Sequence, residues 1–136
     1  MCTNSLSRLL RTGSKRGRLY ATPTAADAIG TTGGGQRRSL RNDAGGQINP
    51  DWEEWLMGWP VGWTALKPLP KSAIDDWLTG LSDETWWNID PHTTGEINRT
   101  ARTADVPDRR ERVRVIGQGQ VPACAARAWQ VLTDVI

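Results

Sequence analysis

Residues 48–63, INPDWEEWLMGWPVGW, place four tryptophans in sixteen positions of a chain that has no phenylalanine and a single tyrosine. The interior of such a chain has to be built largely from indoles, whose rings each bring a large apolar area and one polar N–H. The stretch also carries its own helix signals. Asn49 can cap, Pro50 suits a first helical position, and Asp51, Glu53 and Glu54 set negative charge against the positive end of the helix dipole. Gly58 and Pro60 then end the helix, which is predicted over 49–58. Trp52, Trp55, Leu56 and Trp59 follow the i, i+3, i+4, i+7 spacing of one helical stripe. This is a packing face, because indoles that stack on bases more often lie scattered over loops or a sheet.

The rest of the composition limits what that stripe can support. At 136 residues the chain falls in the range of one domain with a modest core. Only 38% of residues are apolar, and fourteen glycines and eight prolines supply turns without core volume, so a mainly α fold with long irregular loops is expected. No apolar run approaches the roughly 18 residues of a membrane span, and SLSRLL is too short for a signal-peptide core. A soluble, cytoplasmic chain with no membrane partner follows as an expectation. Cys2 and Cys124 have neither metal-ligand spacing nor a disulfide framework, so reduced thiols and no metal site are expected.

The formal net charge of +2 conceals a segregation along the chain. Residues 1–50 hold eight Lys/Arg against two Asp/Glu, residues 51–98 two against nine, and residues 99–136 seven against four. Basic flanks around an acidic, tryptophan-rich centre suit an anionic partner, and they also suit plain solvation. Residues 1–47 read as a basic, Gly-rich arm or loop without sustained apolar periodicity, with residues 48–136 forming the folded region. Within the arm, Arg37 and Arg38 follow Gly33-Gly34-Gly35, and guanidinium groups on a closely approaching backbone can meet phosphates. No Gly-Lys-Ser/Thr follows, so this is not a nucleotide-binding P-loop.

Beyond the tryptophan helix, KPLPKSAIDDWLTGLSDETWWNIDP is a Pro-bounded region with a short helix predicted at 72–79, capped by Ser72 with Asp75 three residues on. Adjacent Trp86 and Trp87 cannot both face one core from a regular helix or strand, which leaves one for the surface. His92, the sole histidine, has no cysteine or carboxylate cluster beside it and reads as surface decoration. In the last forty residues RVRVI alternates as a strand would, yet Pro107 and Gly117 also frame a helix over 107–116. A final helix opens at Pro122. There Cys124, Ala128, Val131 and Val135 share one face, and its small residues allow close approach to a partner surface.

Taken in order, these segments resemble the C-terminal end of phage-type DNA cytosine-5 methyltransferases. EEWLMGWPVGWT, with Leu56-Met57-Gly58-Trp59-Pro60, is similar to the ninth block of that family, a helix ending in Leu-Met-Gly-Phe/Tyr-Pro. RRERVRVIGQGQVPACAARAW, about fifty residues later, is similar to the tenth. There Arg112 and Arg114 precede Gly117-Gln118-Gly119-Gln120-Val121-Pro122, where the family has Gly-Asn-Ala/Gly-x-Val-Pro and then a final helix. TPTAADA at 22–28 and GGQINPDW at 45–52 also resemble the stretch leading into the ninth block. The resemblance covers roughly residues 20–136 and favours the helix reading of 107–116.

The resemblance implies the C-terminal portion of an α/β S-adenosylmethionine-dependent methyltransferase fold, of phage or prophage origin in a bacterial host. It places Gly117, Gln118, Gly119, Gln120 and Val121 against the cofactor pocket, and the ninth block under the target-recognition region. The Pro-Cys nucleophile that attacks a flipped cytosine, the Glu-Asn-Val segment and the Gly-rich cofactor loop are missing from this sequence. Cys124 follows Ala123 at a packing position of the family, so a buried, inert thiol and no catalytic residue are expected. Gln118 stands where the family has asparagine. The implied function is part of a methyltransferase, inactive alone and completed, S-adenosylmethionine included, by a second chain. The alternative is a non-catalytic DNA-binding or interaction protein, a decayed remnant of such an enzyme. In both readings DNA is the partner, met through Arg37, Arg38, Arg109, Arg110 and Arg112 with an affinity that falls as salt rises.

Overall fold

The computed structural model describes residues 20–29 and 38–134 of the chain. In them a 3-10 turn at Ala25–Ala28 precedes helices α1 Leu40–Ala44, α2 Pro50–Met57, α3 Lys71–Ser82, α4 Arg109–Gln118 and α5 Pro122–Thr133. No strand occurs among the described residues; an isolated antiparallel bridge joins Ile48 to Thr100. Long irregular connections link the helices.

Helix α2 forms where its local chemistry puts it. The Asn49 side chain accepts the Asp51 N–H at 3.1 Å, Pro50 occupies the first turn, and Gly58 closes the helix at φ 74°, a backbone region that favours glycine. The side-chain amide of Asn49 donates to the Asn98 carbonyl at 2.9 Å, and its backbone N–H donates to Arg99. One residue thus caps the helix and ties it to the 97–101 segment. The indoles of Trp52 and Trp55 and the side chain of Leu56 are buried together with Ala28, Leu40, Ile48, Trp87 and Val113. Each buried Leu, Ile or Val among them contributes about 1.5–3 kcal/mol of transfer free energy.

The expected boundary between residues 47 and 48 does not hold for the described part of the arm. Ala28 and Leu40 lie in the same core as Trp52, and the Tyr20 ring meets the Trp52 ring edge-on at 5.2 Å. Side chains hold this segment down despite its lack of periodicity. The buried Asp27 carboxylate accepts the N–H and hydroxyl of Thr24 at 2.8 and 3.0 Å, and Asp43 accepts the Ala21 N–H at 2.7 Å.

Three other expectations change in detail. Helix α3 begins one residue early, at Lys71 after Pro70, and runs to Ser82; Ser72 makes no cap, and Lys71 pairs with Asp75 one turn on at 2.6 Å. Trp86 and Trp87 both turn toward the core, Trp87 buried and Trp86 half-buried. They sit in turns, where the alternation of a regular element does not apply. Residues 109–118 are helical, so the strand reading of RVRVI falls: Val113 and Ile116 face the core while Arg114 and Val115 face solvent.

Helix α5 differs from the others. None of its residues is buried, and Trp129 and Leu132 are 70% and 66% exposed. Cys124, expected in a core, is only half-buried. Val135 lies outside the described residues, as do Cys2 and Gly33-Gly34-Gly35.

Candidate functional site

The two stretches that carry the resemblance meet in space. Trp59, just past the end of α2, donates its indole N–H to the Gln120 carbonyl at 2.7 Å. Its ring lies on Gly119, filling the place a Cβ there would take. Gly117, in the last turn of α4, is pressed against the backbone of Thr24 and Ala25 so closely that a Cβ would overlap it. Glycine is used at both positions for close approach. Of the five residues predicted to line a cofactor pocket, Gly117 and Gly119 therefore have the side on which a Cβ would stand filled by protein, while Gly119 itself is exposed. Gln120 has its carbonyl engaged, Val121 caps α5 half-buried, and the Gln118 side chain is exposed.

The predicted DNA-contacting arginines separate into two groups. Arg109 is 1% exposed. Its Nη1 donates to the Ile48 carbonyl at 2.9 Å, Nη2 to the Ala28 carbonyl at 3.4 Å, and Nε to the Thr103 hydroxyl at 3.1 Å. Burial, then the charges of Arg41 and Arg110, hold its guanidinium below its ordinary pKa. Arg112 is 7% exposed and pairs with Asp51 at 2.6 Å and Glu54 at 3.2 Å, with Nε donating to the Thr64 hydroxyl at 2.9 Å. Neither guanidinium is presented to a phosphate in this packing. Arg110 is exposed on α4, and Arg38 is exposed while pairing with Asp43 at 3.1 Å. Arg37 lies outside the described residues.

Adjacent Glu53 and Glu54 are both fully buried, with opposite outcomes. Glu54 accepts from the Gly62 N–H, from the Thr64 N–H at 2.8 Å, from the Thr64 hydroxyl and from Arg112, so its carboxylate shapes the turn after α2. Neither carboxyl oxygen of Glu53 has a hydrogen-bond partner. Burial, and next the charges of Asp27 and Glu54, push its pKa up to about 9 against the pull of Arg109. At neutral pH it is an uncharged acid and contributes nothing to the helix dipole that its position in the sequence suggested.

Sequence reasoning missed a further cluster around buried Asp90. That carboxylate accepts the Trp52 indole N–H at 3.1 Å and the Arg99 guanidinium at 2.7 Å, and Arg99 lies over the Tyr20 ring, 5.5 Å from its centroid. His92, expected at the surface, is half-buried beside it: its N–H donates to Asp90 at 2.9 Å and its Nδ1 accepts the Arg99 N–H at 3.4 Å. These contacts bring together residues 20, 52, 90 and 99, and no local spacing signals them.

Between the loop after α2 and the first turns of α4 lies an open groove of about 530 Å³, walled by Trp59, Trp63, Leu66, Asp108, Glu111 and Val115. Residues 117–121 do not line it. Among the described residues no group of three or more His, Cys, Asp or Glu side chains is placed to hold a metal ion, and no helix is long and apolar enough to cross a membrane. No protein-family model, curated protein or solved structure matches this chain.

Proposed function

We propose that the chain is the C-terminal part of a DNA cytosine-5 methyltransferase and acts only when a second chain supplies the nucleophile and the cofactor-binding loop. The observation that carries this reading is the contact of Trp59 with Gly119 and Gln120, which joins the two stretches resembling the ninth and tenth blocks across sixty residues of sequence. Helix α5 adds support, since a helix with no buried residue and an exposed Trp129 and Leu132 offers an apolar face to a partner. S-adenosylmethionine would be held by the second chain, with Gln118 and Gln120 the exposed side chains of the tenth-block set left to face it. This chain's own residues have a supporting part: the turn shaped by Glu54 and Arg112 presents the end of the ninth-block helix, and Arg110 and Arg38, both exposed, are the arginines that would meet phosphates.

The test is methyl transfer from labelled S-adenosylmethionine to DNA, run with this chain alone, with a second chain carrying Pro-Cys and Glu-Asn-Val, and with both. Incorporation by the pair and none by this chain is the expected result, and Cys124→Ala leaves it unchanged. Robust incorporation by the pure 136-residue protein overturns the proposal. No incorporation by the pair, together with salt-sensitive DNA binding by this chain, favours a non-catalytic DNA-binding protein instead.

A further inference from the structure

The groove beside α4 has a chemistry that neither methyl transfer nor phosphate binding uses. Its apolar wall is open: Trp63, Leu66 and Val115 are 59%, 88% and 48% exposed and border one cavity. Its polar wall is acidic. Asp108, Glu111 and Val115 recur along one face of α4, at the three- and four-residue spacing that makes helical neighbours. Neither Asp108 nor Glu111 is engaged by a side-chain hydrogen bond or ion pair among the described residues. Asp108 stands at the N-cap of α4, where an aspartate ordinarily accepts a helix N–H, but it makes no capping bond and holds φ at 53°, in the left-handed region. The one cation in the wall, Arg112, is already held between Asp51 and Glu54.

An occupant has to match indoles and uncompensated negative charge together. A nucleic-acid base on Trp63 would bring its phosphate beside two carboxylates, and a purely apolar occupant would leave those carboxylates unanswered. The geometry points to a binding site for a small organic cation with an apolar body, an amine or quaternary ammonium, held by the indoles of Trp59 and Trp63 and the carboxylates of Asp108 and Glu111. Indoles attract such cations through the ring quadrupole, and a walled groove screens the carboxylates less than open water does. The site stands independently of the methyltransferase reading.

Calorimetric titration of the full chain with benzyltrimethylammonium, benzyl alcohol and benzoate tests it, with the Trp63 indole N–H resonance locating the binding. The cation should bind about tenfold more tightly than the alcohol, and benzoate most weakly of the three. Asp108→Asn with Glu111→Gln should bring the cation down to the affinity of the alcohol. Asparagine tolerates the left-handed backbone at 108, so the fold is kept, and an unchanged melting temperature verifies it. Trp63→Ala, at an exposed position, should weaken both ligands. No binding of the cation, an alcohol or benzoate that binds as tightly, or a double variant that keeps full cation affinity overturns the proposal.

Discussion

Trp55 and Trp86 exchange hydrogen bonds: the indole N–H of Trp55 donates to the Trp86 carbonyl at 3.1 Å, and that of Trp86 donates to the Trp55 carbonyl at 3.0 Å. Trp87 adds its own N–H to the carbonyls of Trp55 and Leu56, and Trp77 donates to Gly58 at 2.8 Å. The last carbonyls of a helix have no partner within it. Here indoles 19 to 32 residues away donate to the carbonyls at the end of α2 while their rings close the core. Phenylalanine would fill the volume without donating to the carbonyls of Leu56 and Gly58, which gives a physical reason for a domain that uses tryptophan in its stead.

Removing Trp55 loses both the packing and the exchange with Trp86. Trp55→Ala is expected to cost on the order of 3–5 kcal/mol, the range for a large aromatic taken from a core. Trp129→Ala, at a 70% exposed position, should stay within about 0.5 kcal/mol of the parent. Chemical denaturation of the two variants checks this pair of outcomes. Equal stabilities would show that the tryptophan stripe is not a packing face.

The arginines of α4 should separate by function. Arg112→Ala leaves Glu54 buried without its cation and should cost about 3–5 kcal/mol. Arg110→Ala should leave stability nearly unchanged while weakening DNA binding and lowering its salt dependence by roughly one counterion. Melts and binding titrations at several salt concentrations measure both. A stable Arg112→Ala variant with lost DNA affinity would show Arg112 as a phosphate contact.

Gly117→Ala and Gly119→Ala probe whether the tenth-block glycines serve packing. A methyl at 117 overlaps the Thr24–Ala25 backbone, which cannot rotate aside, and one at 119 meets the Trp59 ring. Each change is expected to destabilise by about 1–3 kcal/mol, with no second chain or cofactor present. Melting temperatures equal to the parent's would mean the glycines are kept for something outside this chain.

What the sequence made legible was what neighbours in sequence decide. Asn49, Pro50 and Gly58 act within a turn of themselves, so α2 stands within a residue of its predicted ends. The start of α3 was misplaced because the Lys71–Asp75 pair and Pro70 serve there in place of a Ser72 cap. Trp86 and Trp87 lie in turns, where the alternation of regular elements does not decide which way a side chain faces. The inward turn of Arg109 and Arg112 depends on carbonyls, carboxylates and a hydroxyl 48 to 81 residues away, at Ala28, Ile48, Asp51, Glu54 and Thr64. Charge alone cannot tell a buried guanidinium from an exposed one. The resemblance named the two stretches but not the Trp59–Gly119 contact between them.

Glu53 supplies a pH dependence whose direction is fixed by its surroundings. Its carboxyl titrates near 9 in the folded chain and at an ordinary 4.5 when unfolded. Below 4.5 both states hold the proton, and stability does not change with pH through this group. Between 4.5 and 9 the folded chain keeps a proton that the unfolded chain has released, so stability falls with rising pH, by up to about 1.4 kcal/mol per unit. The contribution is complete below 4.5 and lost by the time pH passes 9. Glu53→Gln removes this slope, whatever constant cost its amide meets in a site that offers no partner. Denaturant unfolding of parent and variant from pH 5 to 8.5 should show the difference moving steadily in favour of glutamine. Two parallel curves would mean that Glu53 is ionised in the fold and has found a partner that its buried position conceals.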